Sequence, residues 1–358
     1  MRRFSAADRK TADHKPTPQR FSKRFKAAAM TVTASVLIPA TATTATPGQT
    51  QNYATLAQAQ QTGSQETIIR VKATNCINIT ESELTRVPAI KPVFERIAAQ
   101  PLTGARVVDR LRDPAHRFQI CLDSSLPGNG VLAAYMGTQN RLFVPVLGAD
   151  FESVAHESYH AYQDTLGGIV STEAGLHPRD MAMSLLLTEA SAVGYTLMLM
   201  REIGYTEPDA YTSFIADSKN SFGLGPRFDA AYNASYDANA SMEETARRKL
   251  ALQAGGTAVV DALVSGAVRG WSAPYANNAA RMAQYGDSTV DTTRRQYRET
   301  RDELFRRAGS LGDINIIPAR FLGASADVQI AQAVDTTGIE IVRVPAPEFS
   351  VRRPGGRS

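Results

Sequence analysis

The stretch Asp150-Phe151-Glu152-Ser153-Val154-Ala155-His156-Glu157-Ser158-Tyr159-His160-Ala161-Tyr162 decides how this chain is read. It carries His-Glu-x-x-His in a pattern that predicts a helix over 151–165, with Asp150 as N-cap and Gly167-Gly168 as the stop. Residues four apart stand one above the other on a helix, so His156 and His160 can present both imidazoles to one ion. Zinc lowers the pKa of a bound water towards about 7, and Glu157, beside the first ligand, can take that proton as general base. Val154, Ala155 and Tyr159 supply an apolar flank. The chain holds only five histidines, so this spacing is a specific signal.

A catalytic zinc site needs three protein ligands and one open position. Position 163 is Gln163 and position 166 is Leu166, which excludes the extended three-histidine form of the motif. The best third ligand is Glu189, in Leu187-Thr188-Glu189-Ala190-Ser191-Ala192, within a very apolar predicted helix over 181–202. A carboxylate there is costly unless it is paired or metal-bound, and the competing reading is a salt bridge to a buried arginine. Glu173, His177 and Asp164 are weaker candidates, and Asp164 could instead orient a ligand imidazole. For an electrophilic donor to the developing oxyanion, Tyr195, Tyr205 and His177 come into question, although helical tyrosines are more often core.

His156-Glu157-Ser158-Tyr159-His160 followed by the Leu-Thr-Glu-Ala-Ser-Ala helix resembles the gluzincin branch of zinc metallopeptidases, in particular the compact bacterial minigluzincin domains. The resemblance covers about residues 115–200. It implies a zincin-like α+β fold, a His156, His160, Glu189 ligand set with Glu157 as base, and peptide hydrolysis. It also implies an edge strand that holds extended substrate by backbone pairing, a role that falls to Arg141–Val146. Val193 stands where thermolysin-like members carry an aspartate, and no exopeptidase motif is present.

Outward from the motif, 68–79 and 118–123 read as strands, and 131–136 and 141–146 as a hairpin around Gly137-Thr138-Gln139-Asn140. Pro145 lacks a ladder donor, so the later strand is expected at an edge or to end there. Ile90–Gln100 reads as a short helix. The expected fold is α+β, a small mostly antiparallel sheet packed on the His-Glu-x-x-His helix and the glutamate helix, followed by a helical region broken at 223–226 and near Gly255-Gly256. Arg298/Asp302 and Glu303/Arg307 read as a solvated, salt-laced face. The 181–202 run is short for a membrane span and carries Glu189 at its middle, so it reads as a core helix.

The expected organisation is a targeting segment over 1–42, a linker over 43–66, the zincin-like domain over 67–205, a helical region over 206–344 and a basic tail over 345–358. The first rests on a basic stretch to Lys26, the apolar Ala27–Ala40 and the small residues Ala40-Thr41-Ala42. It points to a periplasmic or secreted protein, with a cytoplasmic tail as the alternative. Cys76 and Cys121, placed by alternation on the polar side of two strands, could bridge neighbours in an oxidising compartment. Hydrophobic residues at 43% and charged ones at 21% fit a globular protein. The +4 net charge lies mostly at the termini, and no basic stripe interleaved with aromatics suggests nucleic acid. The expected activity is thus a zinc endopeptidase acting on peptide or protein. The alternatives are a non-catalytic, zinc-stabilised assembly module of the cell envelope and a zinc amidase on a non-peptide substrate.

Overall fold

The computed structural model describes residues 75–336, except 124–131, 146–148, 172–173, 217–222 and 269–270, together with Val32 and Thr33. The rest of the expected targeting segment, the linker and the basic tail lie outside the described residues, as do Glu173 and the first half of the expected 68–79 strand. Among the described residues the fold is mixed α/β and mostly helical, with eleven helices and a small sheet of four main strands.

The sheet strands are β1 (Val32–Thr33), β2 (Asn75–Asn78), β3 (Gln119–Asp123), β4 (Ala134–Met136) and β5 (Arg141–Pro145). Their order is β1-β4-β5-β3-β2, with β3 and β5 parallel and the other pairs antiparallel. The expected hairpin forms: Asn140 takes the left-handed conformation at φ 57°, which asparagine tolerates, and the chain returns as β5. The expected edge position does not hold, because β5 pairs with β4 on one side and β3 on the other. Pro145 is the last described residue of β5 and does not mark an edge.

Strand alternation sorts the sheet into two faces. Ile77, Ile120, Leu142 and Tyr135 form one row across β2, β3, β5 and β4 and join the main core. Cys76, Cys121, Phe143 and Ala134 form the opposite row, a second small apolar cluster. Cys76 and Cys121 face each other at a Cα separation of 4.0 Å and are disulfide-bonded. Cys121 is buried, not on a polar face as alternation alone had it, because this side of the sheet is covered too.

Helices α1 (Glu81–Leu84), α2 (Lys91–Ala98) and α3 (Gly104–Arg112) precede β3; α4 (Phe151–Thr165) and α5 (Pro178–Ile203) follow the sheet. The Asp150 carboxylate caps α4 by accepting the Ser153 N–H at 2.9 Å. Then come α6 (Pro208–Ala216), α7 (Gly225–Ala238), α8 (Glu244–Val264), α9 (Ala273–Gln284), α10 (Arg295–Ala308), the hairpin β6 (Ser310–Leu311)/β7 (Ile314–Asn315), and α11 (Ala326–Thr336). Helix α5 is apolar nearly all round because it is enclosed nearly all round: α4, α6, α8, α9, α10 and α11 all pack on it. Among the described residues it is the one helix long and apolar enough to cross a membrane, and that apolar stretch is buried throughout.

Two sequence expectations fail in the helical region. Helix α8 runs through Gly255-Gly256 without a break. A Cβ at Gly255 would stand 2.7 Å from the Phe228 ring, and one at Gly256 2.7 Å from Met198 Sδ, so the glycines serve close helix packing. On α10, Glu303–Arg307 is an exposed ion pair as expected, but Arg298 pairs with Asp327, and Asp302 turns inward to the fully buried Arg301.

Candidate metal centre

Helix α4 presents His156 and His160 towards α5, their rings edge to face with centroids 4.8 Å apart. The two Nε2 atoms are 3.1 Å apart. Glu189, midway along α5, brings Oε2 to 3.8 Å from His156 Nε2 and 3.5 Å from His160 Nε2. All three residues are buried, and Glu189 Oε2 has no hydrogen-bond donor. The structure therefore joins the three residues that the sequence proposed as ligands. The salt-bridge reading of Glu189 is not what is found: the fully buried arginine, Arg301, is engaged by Asp302, Asp327 and, at 3.9 Å, Asp180.

The spacing passes a simple test. Donor atoms about 2.1 Å from one tetrahedral ion lie about 3.4 Å from one another. The observed edges of 3.1, 3.5 and 3.8 Å bracket that value. Two nitrogens and one carboxylate oxygen are also a donor set that suits zinc. Glu157 lies within reach as well: with His156 and His160 it offers ligand atoms all within 4.8 Å. Its Oε2, however, accepts the backbone N–H of Tyr135 at 2.8 Å, so β4 already holds that carboxylate.

Electrostatics bind the group together. Burial opposes a charge on His160, but the Glu189 carboxylate outweighs it and lifts the imidazole to about 9. Burial likewise opposes ionising Glu189, yet the charge on His160 and the nearness of both rings hold it down at about 2. Burial pushes His156 below its ordinary value.

The other candidates fall elsewhere. His177 caps the amino end of α5, accepting the Arg179 N–H at 3.3 Å. It stands twelve residues, roughly 18 Å of helix, before Glu189. Tyr195 stacks on Tyr159 with centroids 4.5 Å apart, and the Tyr205 hydroxyl meets that of Tyr232 at 2.6 Å, beyond the end of α5. Asp164 does not orient a ligand: its Oδ2 accepts from the Tyr135 hydroxyl at 2.7 Å. The partner of His160 Nδ1 is Gln163 Oε1 at 2.8 Å.

Sequence reasoning missed Tyr275 on α9. Its hydroxyl is pushed well above its ordinary value by burial and by the charges of Glu189 and Glu157, so it shares their electrostatic environment. No local signal marks it, because only the packing of α9 along α5 brings it there. Comparison with known protein families, characterised proteins and solved structures finds no match to this chain.

Proposed function

We propose that this chain is a zinc-dependent peptidase with a gluzincin-type site: His156, His160 and Glu189 hold the ion and Glu157 is the general base. The convergence of three buried donor atoms at metal-bridging spacing carries this reading. A bound zinc ion supplies a polarised water with a pKa near 7 and a Lewis acid for the scissile carbonyl. Glu157 accepts a proton at a carboxylate oxygen and passes it to the leaving amine, its orientation set by the Tyr135 N–H.

That N–H also relocates the substrate strand. Because it donates to Glu157, the side of β4 turned away from β5 borders the site, which supports β4 rather than Arg141–Val146 as the strand that holds an extended peptide. Val32–Thr33 pairs antiparallel along that side of β4, so an extended peptide would bind there by taking that segment's place. The sheet edge, α4 and α5 together support a zincin-like arrangement. The Cys76–Cys121 disulfide supports a periplasmic or secreted location, where such bonds persist.

The depth of the site favours one second reading, a zinc-stabilised module without catalysis. Glu157 and Glu189 are each 1% exposed and His160 is fully buried, with only His156 reaching 7%. One variant separates the two. Glu157→Gln is expected to keep about one zinc per chain and to lose hydrolysis of an unfolded protein substrate, by at least about a hundredfold. Undiminished hydrolysis by that variant removes Glu157 as base. Wild-type protein that binds zinc and melts on chelation, yet cleaves nothing, supports the second reading.

A further inference from the structure

We propose that Gln163 is a positioning residue for the metal centre, fixing the ring of His160 and joining the glutamate helix and the C-terminal region to it. The inference rests on the metal reading above. Gln163 is fully buried, and its amide is satisfied at both ends. Oε1 lies 2.8 Å from His160 Nδ1, while Nε2 donates to the Thr188 carbonyl at 3.1 Å and to the Ala308 carbonyl at 2.5 Å.

Those two carbonyls decide which way the amide faces. A carbonyl oxygen only accepts, so the end of Gln163 that meets Thr188 and Ala308 must be the NH2 group. The oxygen is then left for His160, and it can only accept. The neutral His160 ring must therefore carry its proton on Nδ1 and present the Nε2 lone pair towards His156 Nε2 and Glu189 Oε2. Tautomer and ring orientation are both set by one side chain, the kind of support that raises a ligand imidazole's basicity.

The same side chain spans three elements. It lies three residues after His160 on α4, touches the carbonyl of the residue before Glu189 on α5, and touches the last residue of α10. One side chain thereby bonds the end of α10, the His160 ring and the peptide carbonyl that precedes Glu189. The glutamine that excludes the extended three-histidine motif thus takes the orienting role for which Asp164 was one candidate.

The test uses the full chain and two variants. Gln163→Met keeps the volume and removes both the acceptor and the donors. It is expected to lower zinc affinity, measured by competition with a chelator, by about 10–100-fold. Gln163→Glu restores the acceptor and not the donors, so it should recover most of the zinc affinity while melting below wild type. A folded Gln163→Met protein with wild-type affinity overturns the proposal. Nitrogen-15 spectra of wild-type His160 give an answer that needs no variant. With zinc bound, or metal-free at a pH where the ring is neutral, the proton is expected on Nδ1. A proton on Nε2 overturns the proposal. Wild-type protein that takes up no zinc contradicts the metal reading instead, and the tautomer still reports on Gln163.

Discussion

A carboxylate buried in an apolar helix persists only with a cation or a proton beside it. At Glu189 the metal-free protein meets this with His160, whose imidazole is lifted to about 9 against the cost of burial by that same carboxylate. A ligand imidazole must be neutral, so zinc has to displace this proton at any pH below that value. Zinc affinity should therefore climb about tenfold per pH unit between pH 6 and 8 and level off near 9. Titrations of the metal-free protein against a chelator of known pH dependence check this. An affinity flat over that interval would mean that His160 carries no proton. His156, His160 and Glu189 were legible in the sequence because helical spacing and one charge in an apolar run are local signals. Gln163 was not, since its roles depend on carbonyls 25 and 145 residues away, nor was Tyr275, which only the docking of α9 brings near.

At the scale of elements, hydrophobic period and turn residues placed the hairpin, α4 and α5 within a few residues. They did not place neighbours. The interior position of β5 comes from the parallel approach of β3, and the uninterrupted α8 from the rings and sulfur that its glycines admit. Arg301 was hidden for the same reason: a local pattern of alternating charges cannot reveal that one arginine is enclosed by α5, α10 and α11. With Asp302 at 3.0 Å, Asp327 and Asp180 around it, this side chain neutralises acids on three helices. Arg301→Met should leave Asp180 and Asp302 buried without a countercharge and destabilise the protein by about 3–5 kcal/mol. Urea unfolding followed by circular dichroism measures it. A loss below about 1 kcal/mol would show that water reaches these carboxylates.

At the scale of the molecule, the helices beyond residue 205 are part of the support for the site. Residues from both sides of that point share one core. The Tyr159 hydroxyl donates to the Ser310 carbonyl at 3.1 Å, and the Gly312 N–H donates to the Tyr162 hydroxyl at 3.2 Å. With the Gln163–Ala308 bond, these brace the back of α4 against the end of α10 and the β6–β7 turn. A chain ending at residue 205 strips α5 of α6 and α8–α11 and exposes a long apolar surface. It should be recovered aggregated or unfolded, and a soluble, zinc-binding fragment of that length would overturn this view of the C-terminal half.

The central claim concerns one point between α4 and α5, and anomalous diffraction at the zinc edge from crystals grown with zinc tests it most directly. The expected result is a single strong peak about 2.0–2.2 Å from His156 Nε2, His160 Nε2 and a Glu189 oxygen, with Glu157 outside bonding distance. No peak there, or an ion held by Glu157 in place of Glu189, would contradict it.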